Sequence, residues 1–430
     1  LLKEAVLPRL SRLLFSILAL TPASCSVFFP GASGQDAVPA TTIPTGCNSA
    51  PTAPLAPDGY YVNGNTVCTA DGRAHLFHGV DRPSLEWAPS GEYLSAADFL
   101  LMASWKANAV RIALNQDFWL AASPFYNSSY ASLVDRSVNW AESAGMDVIL
   151  DLHWSDAGVL GSCLPSAGCQ QVMADANSMT FWSEVAARYQ NDGHVLFELY
   201  NEPHDVGWDI WRAGGATGHG WRAVGMQQLY DTVRATGANN LVVIGGLDYA
   251  YDLSGVSSNR INGYNILYAT HPYNSGGRAP ESFGSYWGYL TKTDPVIVTE
   301  FGDFGPSCSA TYSGKVIAYA DAHLASWTAW GWYPGGCSFP ALINDWAGTP
   351  SASGTVVKAA LAGYNDPADL TPDAGSPESD AGPPPESDAG PPPESDAGPP
   401  PGSDAGPPPE SDAGVSENDA GTSDNDADSH

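Results

Sequence analysis

The chain has 430 residues, 43% of them hydrophobic, enough for one large domain or two ordinary ones. It carries 17 Lys and Arg against 47 Asp and Glu, a formal −30. That balance excludes a general attraction for nucleic acid or anionic membranes and points to a neutral or cationic partner.

In chain order, Lys3, Arg9 and Arg12 precede the apolar run LLFSILAL, residues 13–20, and small residues follow in TPASCS, residues 21–26. This three-part pattern predicts a secretory signal over residues 1–30, and the run is too short to span a bilayer. Cys25 resembles the lipidated cysteine of bacterial lipoproteins, with Pro22 where that signal normally has Leu. The protein is therefore expected to be secreted, or lipid-anchored at the cell surface. A membrane partner is expected only if Cys25 is lipidated.

Residues 31–56, rich in Pro, Ala, Thr and Gly, read as a linker. Cys47, Cys68, Cys163, Cys169, Cys308 and Cys337 form an even set in an exported chain, which predicts disulfides. The sequential pairing Cys47–Cys68, Cys163–Cys169, Cys308–Cys337 is favoured. No C-x-x-C spacing suggests a metal site.

Residues 57–365 read as the folded domain. Asn63-Gly64 and Asp71-Gly72 are hairpin signals at its start. Eight apolar runs follow, at 75–80, 108–114, 147–153, 195–202, 241–246, 266–273, 296–302 and 328–333. Helical patterns lie between most of them. One opens at Ser95, three residues before Asp98, as a capping box. Others end at Gly145 and Gly237, and 354–364 closes the set. This alternation predicts an α/β chain folded as a (β/α)8 TIM barrel with a short N-terminal β-hairpin. A doubly wound sheet would usually show an early Gly-rich phosphate loop, and none follows the first run. Residues 366–430 repeat PPPESDAG and hold 17 acidic and no basic residues. Such a tail cannot bury enough apolar surface to order itself, so a disordered acidic, Pro-rich tail is expected. The rest of the chain has 30 acidic and 17 basic residues, a formal −13.

In a barrel, chemistry sits where strands end. Arg111, His153, Asn201, Glu202, His271, Tyr273, Glu300 and Trp332 are read as closing these runs at one rim. Two carboxylates across one barrel mouth suit glycoside hydrolysis. One donates a proton, so its pKa must be raised, and the other stays ionised. Alternation along 195–202 places Glu198, Tyr200 and Glu202 on one side, with Glu198 deeper as a paired interior carboxylate.

LYNEPHD, residues 199–205, and VIVTEFGDF, residues 296–304, resemble the paired signatures of glycoside hydrolase family 5. The resemblance spans roughly residues 57–365. It implies a retaining endoglycanase of the cellulase type, with Glu202 as acid/base and Glu300 as nucleophile. Arg111 and Tyr273 would keep Glu300 ionised, and Asn201 would bond the sugar 2-OH. His153 and His271 would bind hydroxyls or orient Glu202. Trp332 would stack on the sugar, and Trp154, Trp208 and Trp211 would extend that platform. The implied partner is a polysaccharide, β-1,4-glucan first, with mannan, xyloglucan and mixed-linkage glucan as alternatives. A monomer is expected, with no cofactor, no metal and no nucleic acid. Two rivals stand beside this reading. A binding barrel without activity need not keep both glutamates. A metal-dependent barrel hydrolase needs an H-x-H pair, whereas His75 and His78 are three apart and face opposite sides of a strand.

Overall fold

A computed structural model describes residue 47 and residues 51–162, 169–305 and 309–364. The signal segment, most of the linker, the acidic tail, Cys25, Cys163 and Cys308 lie outside these residues.

The described chain opens with a small antiparallel sheet of β1 (Tyr60–Asn63), β2 (Thr66–Thr69) and β3 (Ala74–His75). Gly64, at φ +62°, makes the tight turn that the Asn-Gly pair predicts. A third short strand extends the predicted hairpin. Eight parallel strands then close into a barrel in chain order. They are β4 (His78–Arg82), β5 (Ala109–Asn115), β6 (Asp147–Trp154), β7 (Val195–Glu198), β10 (Val242–Gly245), β11 (Ile266–Thr270), β12 (Val296–Val298) and β13 (Ser326–Ala329). Strands β8 (Gly215–Ala216) and β9 (Arg222–Ala223) form a separate pair in the loop after β7. That pairing holds Arg222 and Ala223 in extended backbone, so the helix that leads to Gly237 starts only at Met226.

Helices α1 (Ala96–Ser104), α2 (Gln116–Trp119), α3 (Tyr130–Ser143), α4 (Ala176–Tyr189), α5 (Trp208–Ala213), α6 (Met226–Ala235), α7 (Thr311–Ala322) and α8 (Ala352–Tyr364) surround the barrel. Ser95 caps α1 through its hydroxyl, which accepts the Asp98 N–H at 3.3 Å. Gly145, at φ +80°, turns the chain out of α3. Between β11 and β12 the connection is made of short 3-10 and π turns over residues 280–292.

Strand periodicity builds two cores. Outward residues such as Val148, Leu150, Val242 and Ile244 pack beneath the helices. Inward residues Ala109, Ile149, Leu196, Val243, Leu267 and Ile297 fill the lower barrel. Each fully buried aliphatic side chain there stabilises the fold by roughly 1.5–3 kcal/mol. Tyr60 and Val67 of the small sheet join this inner core and plug its N-terminal end. The Tyr60 hydroxyl donates to Asp147 at 2.9 Å, and the Cys47–Cys68 disulfide ties the preceding segment down. Residue 54, within the expected linker, also lies on the barrel, where the Pro54 carbonyl accepts from Asn265 Nδ2 at 2.7 Å.

Two residues further along β5, β6 and β7, and just past the end of β12, the inner face turns polar. Ala109 is followed by Arg111, Ile149 by Asp151, Leu196 by Glu198 and Ile297 by Thr299. The apolar layer is thus the floor on which a charged layer stands, and that layer carries the site.

Candidate active site

Arg111 is fully buried at the centre of the charged layer. It lies third in the seven residues of β5, so it sits inside the barrel and does not close a strand as the sequence suggested. Its Nε donates to Glu198 Oε2 at 2.5 Å, Nη1 to Glu300 Oε1 at 2.6 Å and Nη2 to Asn201 Oδ1 at 2.8 Å. Asp151 Oδ2 is 3.0 Å from Nη2. One guanidinium therefore orders groups from β6, the end of β7 and the loop after β12. Its planar fork suits this, because a Lys could not hold several acceptors in fixed directions.

Glu300 is 4% exposed. Its second oxygen accepts the Tyr273 hydroxyl at 2.7 Å. Glu202 faces it across the cleft. His271 Nδ1 lies 3.0 Å from Glu202 Oε1, and Gln170 donates its amide to Glu202 Oε2. His271 Nε2 is 2.9 Å from Thr299 Oγ1, whose hydroxyl donates to Glu198 Oε1 at 2.7 Å. A continuous chain of polar contacts thus runs from Glu202 through His271, Thr299, Glu198 and Arg111 to Glu300. One oxygen of Glu202, one of Glu300 and a ring nitrogen of His271 lie within 4.8 Å of one another.

The charges balance by environment. Burial disfavours the imidazolium of His271, but the charge of Glu300 and the hydrogen bonds to Glu198 and Glu202 outweigh it and raise its pKa to about 10. His153, opposed by burial but held by Asp151 at 2.7 Å, is raised to about 9. Burial pushes Glu198 up, yet Arg111 and His271 hold it down at about 2. Burial likewise acts upward on Glu202, and the hydrogen bonds and charge of His271 lower it overall. The sequence-based expectation of a raised pKa on Glu202 is therefore corrected, because the His271 ring touches it. Asp81 is fully buried beneath, and burial with the nearby Glu300 and Glu198 carboxylates drives its pKa well up against the pull of Arg111.

Glu202, His271 and Glu300 are the three groups whose spacing could hold a cation among the described residues. The donor set fits poorly. Both His271 ring nitrogens are already engaged, with Glu202 and Thr299, and an ion bound to Glu300 would sit against Arg111.

His153, Gln170, Asn201, Glu202, Tyr273 and Glu300 line a cleft of about 400 Å³ at the C-terminal ends of the strands, with the other charged groups buried behind them. A family model described as cellulase (glycosyl hydrolase family 5) matches residues 68–336.

The chain belongs to glycosyl hydrolase family 5.

Within this family it is similar to Endoglucanase N of Pectobacterium atrosepticum, 28% identical over 212 residues that cover 49% of this chain and 42% of that protein. It is also similar to Endoglucanase E-5 of Thermobifida fusca, 22% identical over 329 residues, which cover 70% of this chain and 63% of that one. In each case the match spans less than two thirds of the relative's length. A β-glucanase from Saccharophagus degradans has a similar structure, with a TM-score of 0.58 at 23% identity, covering 74% of this chain and 97% of that one. That likeness is one of fold.

Of the residues singled out in the family 5 sequence, the structure brings Arg111, His153, Asn201, Glu202, His271, Tyr273 and Glu300 together. It does not bring Trp332. That ring is fully buried, donates Nε1–H to Asp98 Oδ1 at 2.9 Å and packs on Trp105. Trp330 lines the cleft instead and stacks on His153 at 5.5 Å. Strand β13 ends at Ala329, earlier than the apolar run suggested, so the first tryptophan of the pair faces the site. Trp211 is buried too, bonded to the Gly245 carbonyl, and extends no platform. Trp154 and Trp208 do not line the cleft. Strand β7 stops at Glu198, so the period of two does not carry on to Glu202; Tyr200 turns outward into the helix-facing core.

Sequence reasoning missed Asp81, Asp151, Gln170 and Thr299, and also Tyr249, which lines the cleft. Asp151 was legible, since it lies two residues before His153 on one strand face. Gln170 follows Cys169, which is disulfide-bonded. The bonds expected from Cys169 to Cys163 and from Cys337 to Cys308 involve partners outside the described residues. The Cys47–Cys68 bond is present.

Proposed function

We propose that this chain is a retaining, endo-acting β-1,4-glucanase working by double displacement. The observation that carries the reading is the pairing of Glu202 and Glu300, with one oxygen of each inside a 4.8 Å cluster. Retaining glycosidases hold their carboxyl groups about 5 Å apart, whereas inverting ones leave room for a water at roughly 6.5–9.5 Å. The similarity to two endoglucanases supports a glucan substrate.

In the first step a Glu300 oxygen attacks the anomeric carbon. The glycosidic C–O bond breaks, and the leaving oxygen takes a proton from Glu202. Arg111 and Tyr273 aim Glu300 through one hydrogen bond to each of its oxygens. The proton that Glu202 needs is stored in its pair with His271. Transfer across the 3.0 Å Nδ1–Oε1 contact turns imidazolium and carboxylate into imidazole and acid without a change in total charge. In the second step Glu202, now a carboxylate, takes a proton from water as the water oxygen attacks the glycosyl ester. Glu300 leaves as carboxylate. Asn201, fixed by Arg111, bonds the sugar 2-OH, and Trp330 offers its face to the ring. Neutral polysaccharide suits the acidic chain. Export of the enzyme fits the Cys47–Cys68 disulfide.

The test is release of new reducing ends from carboxymethyl-cellulose and from galactomannan by wild type and Glu300→Ala. Release from the cellulose derivative, abolished in the variant, is expected. Release from mannan alone would change the substrate and keep the mechanism. No release from any β-glycan would overturn the reading.

A further inference from the structure

A run of ring contacts leaves the catalytic cleft at Trp330. Phe339 packs on Trp330 at 5.5 Å between centroids, Tyr333 on Phe339 at 5.3 Å, and Trp346 on Tyr333 at 5.3 Å. Tyr93 then stacks on Trp346 at 4.8 Å, with 23° between the planes. Tyr93 ends the run and is 71% exposed. The reaction described above uses neither Trp346 nor Tyr93.

We propose that Tyr93, backed by Trp346, is a distal platform that binds the polysaccharide chain beyond the catalytic cleft. This rests on the glucanase reading. The ring series is continuous with the cleft, since it starts at Trp330 in the cleft wall, so a chain bound there can run on to Tyr93. A sugar offers a flat C–H face that an aromatic ring can cover, while its hydroxyls stay in water. A neutral glycan also meets no repulsion from a chain of net −30.

The backbone supports the same inference. Tyr93 has φ +56°, a left-handed conformation that a bulky side chain rarely adopts. Strain of this kind persists where surrounding structure over-determines it, and it collects at ligand clamps. The surroundings here are well determined. Trp346 lies in a turn closed by the Ile343–Pro350 bridge. The Asp345 carboxylate accepts the N–H groups of Ala347 at 3.0 Å and Thr349 at 3.2 Å. The buried Arg82 guanidinium lies 4.9 Å from the Trp346 ring and donates to the Glu92 carbonyl at 2.5 Å. The Glu92 carboxylate accepts from Trp87 Nε1 at 2.9 Å and from the Tyr333 hydroxyl at 2.6 Å. The platform is thus ordered before any ligand arrives, which lowers the entropy lost on binding.

The full chain and its Tyr93→Ala and Tyr93→Phe variants would be compared in two ways. Kinetics would use a short chromogenic cellobioside and hydroxyethyl-cellulose. Electrophoresis would use native gels with and without hydroxyethyl-cellulose. The expected result for Tyr93→Ala is cellobioside turnover within about twofold of wild type, since the ring is exposed and remote. Its KM for the polymer should rise about tenfold, ~1.4 kcal/mol, and its retardation in the polymer gel should fall. Tyr93→Phe should keep wild-type behaviour. Equal polymer KM and equal mobility for wild type and Tyr93→Ala would overturn the platform. A wild type without turnover on either substrate would instead count against the glucanase reading. The gel would still decide the platform, with unequal mobility supporting it and equal mobility overturning it.

Discussion

His271 Nδ1 lies 3.0 Å from Glu202 Oε1, so the proposed proton donor is in contact with a cation. The pair, rather than either residue, then sets the alkaline limit of the reaction. His271 keeps its proton up to about 10, and that proton is available to Glu202. In His271→Ala the carboxyl must hold its own proton. The alkaline limb of kcat/KM should move to lower pH by at least one unit, roughly, with the peak value reduced tenfold or more. A pH–rate profile on a soluble glucan checks this. An unchanged alkaline limb would refute the shared proton.

Glu198 and Glu202 should respond differently to the same change. Glu202→Gln should leave a folded protein with little turnover. Glu198→Gln removes a buried partner of Arg111 and should destabilise the fold by about 3 kcal/mol. Its pH signature follows from its pKa, lowered from 4.5 to about 2 on folding. A depressed carboxylate contributes stability above its unfolded pKa and loses it as pH falls. The contribution is therefore full above about 4.5 and disappears toward 2. Urea melts at pH 6 and pH 3 should show wild type losing more stability than Glu198→Gln over that interval. Full stability of the variant together with lost turnover would reverse the two roles.

Trp330 and Trp332 give a sharp contrast two residues apart. Trp332→Phe removes the donor to Asp98, leaving a buried carboxylate oxygen short of a partner, and should cost about 1–3 kcal/mol of stability. Its activity per folded molecule should stay near wild type. Trp330→Ala should do the opposite, cutting turnover at least tenfold with a smaller change in melting temperature. Thermal melts and initial rates on the same preparations separate the two.

Gln170 links the disulfide-bonded loop at Cys169 to Glu202. Gln170→Ala should lower kcat several-fold and leave stability within about 0.5 kcal/mol, as for other surface changes. Mild reduction, with thiol release verified, should raise KM before the barrel melts. Unchanged affinity after complete reduction of this bond would show that the loop holds its place without it.

Much of this arrangement was legible in the sequence because it rests on local periodicity. Eight apolar runs separated by helical stretches specify the barrel, and the residues near their ends include Glu202 and Glu300, whereas Arg111 lies inside its strand and Gln170 in a loop. The failures are also physical. Alternation ends with the strand, and strand β7 stops at Glu198, so the side of Tyr200 could not be read by counting. The choice between Trp330 and Trp332 turns on where β13 ends. The charge on Glu202 depends on a contact with a residue 69 positions away, which burial alone would not reveal. Gln170 reaches the site from a loop position beside the disulfide-bonded Cys169, and no periodic signal marks such a residue.

The most direct test of the account is to trap the covalent intermediate. A 2-deoxy-2-fluoro-cellobioside with an activated leaving group forms the glycosyl ester and slows its hydrolysis, since the fluorine destabilises the charged transition state. Peptide mass spectrometry of the inactivated protein should find the sugar on Glu300. A label on Glu202, or an unlabelled protein whose first product has inverted anomeric configuration, would contradict the assignment of Glu300 as the nucleophile held by Arg111.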